Sequence, residues 1–364
     1  RAWMNGIKAW RLRTEETPCM YETEYMCTTD KWANDVNSTL YKEFRRTFRI
    51  PFVLYQDIVE SAYASGRFRD DRPGLKKKRA RGTPPSPLTL KILASLRVMA
   101  LGCPMDGVRL ESGISQPVLA RFFHKFTAWM VEKYFEDNVH MPNDTAELES
   151  VETMYSLLGL PGCVGSIDGV LFAWDSCHAP SVPAYKGKEN FPTVVYNVTC
   201  DHARRVMSVH GPFPGARNDK NIASTDPAVR AVRFHSMYLN FRYPMYAETG
   251  VPYTMAGAWL LCDGGYHRWR ATIAGYKHSG SDEAIRWSER MGSCRKDVED
   301  LFGILKKRFR ILRTPILFNK ESSINSLFKT CCILHNMLMD WGGISDLGCE
   351  DDHWIANDKT DLCD

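Results

Sequence analysis

"CVGSIDGVLFAW", residues 163–174, is the stretch on which the architecture turns. Its β-branched and aromatic residues run for the length of a strand, and one aspartate, Asp168, stands at the centre. Two similar runs follow, "TVVYNVTC" (193–200) and "RVMSVHGPF" (205–213), each separated from the last by turn residues. "NDKNIASTDPAVRAVRF" then takes helical spacing, and "AWLLCD" (258–263) returns to a short buried strand that ends on Asp263 and two glycines.

A meander of three strands, then a helix, then a fourth strand is the order that an RNase H-like sheet requires. There the first strand is central and a later, parallel strand lies beside it. The expected fold is therefore α/β, an RNase H-like mixed sheet flanked by helices, over residues 160–342. Before it lies a helical part, about residues 41–145. The runs "EFRRTFRI" and "FVLYQDIVESAYASGRF" and the block from Leu88 to Leu101 have helical spacing. "GVRLESGISQPVLARFFHKFTAWMVEKYF" reads as helix, turn, helix, with Gly113 in the turn and Ser115 placed to cap the second helix. Either a DNA-reading helix-turn-helix or a plain helical bundle fits, with Arg121, His124 and Lys125 as the base-reading candidates.

Residues 1–40 have no clear periodicity. Between the helices, residues 69–87, "RDDRPGLKKKRARGTPPSP", crowd Lys76, Lys77, Lys78, Arg79 and Arg81 between structure breakers. That segment reads either as a solvated basic loop or as a phosphate contact or nuclear-import signal. The tail, 343–364, is acidic and expected to be mobile.

Composition narrows the class. In 364 residues, 44% are hydrophobic and 25% charged, which points to packed cores rather than disorder. The net charge of +4 does not by itself predict nucleic-acid binding. None of the 12 cysteines forms a C-x-x-C pair, which removes zinc-finger and thioredoxin readings and favours a reducing, intracellular setting. No apolar run approaches the roughly 20 residues that span a bilayer. The start, "RAWMNGIKAW", has neither an initiator Met nor a signal-peptide core, so the chain is expected to be a fragment.

Three acids stand out by context: Asp168 in the first strand, Asp263 at the end of the fourth, and Glu299 in "KDVEDLFGILKKRFRIL". A carboxylate inside an apolar strand is costly unless something positive holds it, and several together ask for a divalent cation. Hard oxygen ligands suit Mg²⁺ or Mn²⁺, and two such ions about 3.5–4 Å apart serve phosphodiester chemistry. Each acid alone has a plainer reading: a turn cap for Asp263, a dipole-favoured helix start for Glu299. Asp297 and Asp300 flank Glu299 and compete with it. Helical geometry places Glu299 at the border of the apolar face made by Val298, Leu301, Phe302, Leu305 and Phe309, in a helix expected over Lys296–Leu312.

At this point the motifs "GCVGSIDGV", "GPFPGARNDKNI", "LLCDGGY", "VEDLFGILKKRFRIL" and "CCILHNML" together resemble the PIF/Harbinger-type DDE transposases and the nucleases derived from them. They stand in the family's order over roughly residues 160–340, and "LRVMALG" with "ESGISQPVLARFFHKF" resembles the helix-turn-helix region before its catalytic domain. The resemblance implies a catalytic and metal-binding trio of Asp168, Asp263 and Glu299 that holds Mg²⁺ (or Mn²⁺), two ions in all, and DNA strand cleavage and transfer. It also implies transposon ends and target DNA as partners and a separately encoded Myb-like protein; a homodimer, no membrane association and a nuclear location are expected beside it. Two positions depart from the family: Leu171 where a His is frequent, and Gly264 where a Ser commonly follows the aspartate. Competing classes are a catalytically silent DNA-binding or regulatory protein on the same scaffold and an RNase H-type ribonuclease.

Further residues have two readings each. Asp219 opens a helix and serves as N-cap or as an auxiliary acid near the ions. Lys306, Lys307, Arg308 and Arg310 track DNA phosphates or form a solvated face. His335 and Asn336 are expected to be satisfied core groups, and Trp174, Trp259, Trp269 and Trp287 core rather than base-stacking.

Overall fold

The computed structural model describes residues 19–26, 28–68, 86–247, 249–276 and 281–358. The basic residues Lys76, Lys77, Lys78, Arg79 and Arg81 lie outside the described residues. The chain divides into two compact units, one of residues up to Trp129 with Lys306–Thr314, the other of Met130–Leu305 and Pro315 onward.

The first unit is helical: α1 (Thr39–Phe48), α2 (Phe52–Ala64), α3 (Leu88–Leu101) and the start of α4 (Gln116–Asn138). The stretch that defied a sequence reading supplies part of its core. Tyr21, Tyr25 and Trp32 are buried against Phe44, Phe48 and Phe52, edge-on at centroid separations of 4.8–5.5 Å for several pairs. Such pairs add about 0.5–1.5 kcal/mol each beyond the area they bury. Before α4, the expected first helix is a 3₁₀ turn, Met105–Val108, followed by one α turn, Arg109–Ser112. Gly113 closes it at φ 67°, and Ser112 Oγ donates to the Val108 carbonyl while accepting the Ile114 N–H. Ser115 opens α4 through its carbonyl, which accepts the Leu119 N–H at 3.0 Å. Of the base-reading candidates, Lys125 is engaged, donating to the Arg67 carbonyl at 2.8 Å and lying over the Phe68 ring.

The second unit carries a five-stranded sheet. Its strands are β1 (Cys163–Ala173), β2 (Thr193–Cys200), β3 (Val206–Pro214), β6 (Trp259–Leu261) and β7 (Thr272–Ile273), in the order β3-β2-β1-β6-β7. β1 pairs antiparallel with β2 and parallel with β6, so it is central, and the architecture is RNase H-like. Every residue of β2 is buried, as its unbroken apolar and β-branched run requires. Gly165 marks an irregularity in the β1–β6 register. Its φ of 155° is one that residues with a side chain rarely adopt, and a Cβ there would stand 3.1 Å from the Cys200 carbonyl oxygen and 2.8 Å from Met207 Cε, so a larger residue is strained. A separate hairpin, β4 (Arg242–Tyr246) with β5 (Pro252–Ala256), lies outside this sheet.

Alternation along β1 sorts its side chains between two faces. Val164 and Ile167 join Leu260, Cys262 and Tyr266 in a core with the helical segment 219–240, here α6 (Asp219–Thr225) and α7 (Pro227–Phe234) with a short turn after them. The opposite face meets α8 (Asp282–Arg308) and α9 (Glu321–Asp358). Met291 and Cys294 of α8 pack on Cys163 and Leu261, and Phe328 of α9 lies 4.9 Å from Phe172. Before the sheet, α5 (Thr145–Leu157) begins with a reciprocal cap: Asp144 accepts the Glu147 N–H, and Glu147 accepts the Asn143 N–H. "NDTAELE" carries that signature in plain view.

Two expected helix limits are corrected. α8 starts at Asp282, not Lys296, and Ser281 opens it by accepting the Ala284 N–H. Its buried stripe is Met291, Cys294, Val298, Leu301 and Leu305; Phe302 is half-buried and Phe309 falls beyond the helix end. α9, whose apolar run "SINSLFKTCCILHNMLMDW" (323–341) has helical spacing, continues to Asp358, into the segment expected to be mobile. Among the described residues no helix is long and apolar enough to cross a membrane.

Candidate active site

Asp168 lies on β1 between Ile167 and Gly169, so its side chain leaves the sheet on the face opposite to Ile167. That is the α8 face. Arg295 Nη1 donates to Asp168 Oδ2 at 3.2 Å and pairs with Glu299 Oε1 at 2.7 Å. Both carboxylates take the same guanidinium nitrogen, so their oxygens stand no further apart than those two contacts laid end to end. Arg295 and Glu299 are one helical turn apart on α8, which is why they share a side. Ser166 Oγ donates to the Arg295 carbonyl at 3.3 Å and fastens that turn to β1.

Asp263 follows β6 two residues after Leu261. Leu261 packs on the α8 face and Cys262 in the α6–α7 core, and Asp263 continues the chain beyond the strand end. The turn-cap reading is correct as far as it goes: Asp263 Oδ1 accepts the Gly265 N–H at 2.7 Å. Its charge also bears on Asp168. Burial pushes the Asp168 carboxyl up to about 6, the nearby charges of Asp263 and Glu299 raise it, and the Gly169 N–H and Arg295 lower it. The charges of Asp263 and Glu299 thus both bear on Asp168.

Asp297 and Asp300 are accounted for elsewhere. Asp297 is buried, with Oδ2 on His202 Nδ1 at 2.7 Å and Oδ1 on Arg204 Nη2 at 3.1 Å, and the same Arg204 nitrogen reaches Asp300 at 3.2 Å. These pairs tie the β2–β3 turn to α8. Of the three acids in "DVED", Glu299 is the one paired with Arg295 beside Asp168.

Asp219 is not the N-cap of α6. Asn218 is, its side chain accepting the Lys220 N–H at 2.9 Å, and Asp219 is the first helical residue, exposed. Its charge is felt at Tyr266, whose phenol is pushed well up by burial and by Asp168, Asp226, Asp219 and Asp263. Held neutral, the Tyr266 hydroxyl donates to Asn197 Oδ1, and Asn197 Nδ2 donates to Asp226 Oδ2 at 2.7 Å. Asp226 in turn caps α7 through the Ala228 and Val229 N–H groups. This chain, which no local pattern announces, anchors the loop that carries Asp263 from the opposite face.

Burial raises the Asp226 carboxyl to about 6, against the lowering hydrogen bonds from Asn197, Val229 and Ala228. The folded value lies above the ordinary 3.8, so the stability it contributes is present below about pH 4 and is lost as pH rises through about 6. Asp168 has the same sign. Asp226→Asn is expected to flatten the fall in stability between pH 4 and 7 by about 2 kcal/mol in urea titrations. An unchanged slope would mean that Asp226 does not titrate in the fold.

Asn336 Oδ1 accepts the Val206 N–H, and Nδ2 donates to the carbonyls of Val206 and Asn138; His335 Nε2 lies 2.9 Å from the Arg204 carbonyl. Both are fully buried core groups. Trp174 and Trp259 are buried and donate to backbone carbonyls. Trp269 and Trp287 are half-buried, and Trp269 is already stacked on His267 with Arg233 over its ring. Lys306, Lys307 and Arg308 are half-buried rather than a fully solvated face, and burial lowers the Lys306 amine; Arg310 is exposed.

The donor set suits a hard divalent ion. It consists of carboxylate oxygens, and Gly265 leaves Asp263 open: a Cβ there would stand 3.0 Å from Oδ1. Among the described residues no three His, Cys, Asp or Glu side chains are already set to hold a metal ion. A positive group occupies the gap between Asp168 and Glu299, and it is Arg295.

Comparison with known proteins agrees with the motifs. The family described as plant transposon protein matches residues 138–343. "Putative nuclease HARBI1" of Rattus norvegicus is 25% identical over 258 residues, covering 69% of this chain and 67% of its own. The protein of that name in Homo sapiens is 23% identical over the same shares. "Protein ALP1-like" of Arabidopsis thaliana is 21% identical over 264 residues, 70% of this chain and 62% of its own. No solved structure matches. With more than half its length matched, and with the sheet order and motifs above, this chain belongs to the plant transposon protein family, the Harbinger-like transposase-derived nucleases.

Proposed function

We propose that the protein is a metal-dependent DNA endonuclease and transposase acting through Asp168, Asp263 and Glu299. One observation carries the reading: Asp168 and Glu299 share one guanidinium nitrogen on the α8 face of the central strand, with the charge of Asp263 bearing on Asp168. The three acids would hold Mg²⁺ or Mn²⁺, two ions in all. Bound there, the ions would supply Lewis acidity and an activated water or 3′-hydroxyl for in-line attack at phosphorus.

The chain's own residues prepare that site. The Gly169 N–H fixes Asp168 through Oδ1 at 2.8 Å, and the Gly265 N–H orients Asp263 in the same way. Asp168 must be ionised to act as a ligand, so proton and metal ion would compete for it and metal binding would weaken as pH falls. Lys306, Lys307, Arg308 and Arg310, with the basic segment 69–87, are proposed to meet DNA phosphates. A Myb-like partner, a homodimer and a nuclear location complete the reading.

The second reading is a DNA-binding protein that keeps the scaffold without cleaving. It is favoured by Arg295, which spans two of the acids. Nicking of supercoiled plasmid with Mg²⁺ or Mn²⁺ separates the two. Metal-dependent nicking that disappears in Asp263→Asn supports the nuclease; DNA binding with no cleavage under either metal supports the silent form. Cleavage confined to RNA–DNA hybrid in the same assay would assign a ribonuclease instead.

A further inference from the structure

Arg295 holds an unusual position for a structural arginine. It lies one turn before Glu299, its Nη1 contacts both Asp168 Oδ2 and Glu299 Oε1, and its carbonyl is tied to Ser166 on β1. About a quarter of its side chain is exposed, so the guanidinium is not sealed in the core. A guanidinium keeps its charge at any working pH. The oxygens it contacts belong to two of the three residues proposed as metal ligands.

We propose that Arg295 is the exchangeable counter-charge of the carboxylate site, holding Asp168 and Glu299 together without metal and setting, by competition, the divalent-ion concentration that the site requires. The proposal rests on the reading of the three acids as ligands. An incoming ion needs the oxygens that Arg295 now contacts. If the guanidinium leaves, its two contacts are lost; if it stays, its charge repels the ion. Both routes weaken metal binding, so the sign of the effect does not depend on which one operates.

A merely structural arginine has the opposite signature. Removing it would let β1 and α8 drift, the acids would separate, and metal affinity would fall. Removing a competitor leaves the like charges of Asp168 and Glu299 without the guanidinium between them, and metal affinity rises.

The test is Mn²⁺ titration by calorimetry of the full chain at pH 7.5, in wild type, Arg295→Gln, Arg295→Lys and Arg286→Gln. Arg286 lies on the same helix in an exposed pair with Glu283, and its variant controls for the loss of one positive charge. R295Q is expected to bind Mn²⁺ about tenfold tighter, within the range usual for coupled sites. R295K, which keeps the charge, and R286Q should stay close to wild type. Equal or weaker binding by R295Q overturns the proposal while leaving the acids as ligands. No Mn²⁺ binding by either wild type or R295Q overturns the ligand reading itself, and this proposal with it. Thermal unfolding supplies a second readout should R295Q fold poorly without metal. The Mn²⁺-induced rise in Tm should be larger in R295Q and in Arg295→Met than in wild type, and an equal or smaller rise counts against the proposal.

Discussion

Asp168→Asn is expected to remove metal-dependent nicking and, at the same time, to stabilise the metal-free protein. The loss of activity should reach about a thousandfold, because a ligand that places an ion at the phosphate is worth several kcal/mol in the transition state. The gain in stability follows from the cost of the charge. Asp168 titrates at about 6 in the fold against an ordinary 3.8, so in the folded protein its ionised form is disfavoured at neutral pH. Its stabilising contribution is present below about pH 4 and disappears as pH rises through about 6. Asparagine has nearly the same shape and does not titrate. It should therefore exceed aspartate in stability by about 1–2 kcal/mol at pH 7.5, after allowance for the lost Arg295 contact, and match it near pH 4. Urea unfolding at the two pH values measures this difference. A variant that still nicks plasmid, or one that is less stable at pH 7.5 than at pH 4 relative to wild type, contradicts the placement of Asp168 as a strained member of a carboxylate cluster.

The largest stability loss is expected from Asn336→Ala. Asn336 is fully buried on α9, and its amide serves both backbone groups of Val206 at the start of β3 and the carbonyl of Asn138 at the end of α4. Alanine leaves those groups without their partner in a place that water does not reach. Each such group costs about 1–3 kcal/mol, and partial relaxation reduces the sum to about 3–4 kcal/mol. Ser326→Ala on the same helix loses one hydroxyl bond to Ser322 and should change stability by no more than about 0.5 kcal/mol. Equal effects of the two substitutions would mean that the amide does not join α9 to β3 and α4.

The comparison between sequence and structure divides along a physical line. β1, β2 and β3 begin and end within a residue of their apolar runs, and Leu88–Leu101 is a helix over the expected limits. These elements are covered on at least one whole face, so their patterns are written densely. The first part of α8 was not legible because its first nine residues, Asp282–Arg290, include none that is buried, and Met291 is the first that is. β5 is almost wholly exposed and β7 is two residues long, so neither has an alternation to read.

The chemistry divides in the same way. Local context alone singled out Asp168, because an aspartate inside a strand is costly wherever the strand lies. Sequence order and motifs also determined the family, the RNase H-like sheet and the shortlist of acids around 299. Only the tertiary structure decided that Asp297 turns to His202 and Arg204 while Glu299 meets Asp168 through Arg295. The physical reason is that a side chain's direction follows from its own backbone, whereas its partner depends on which distant strand or helix the fold brings alongside.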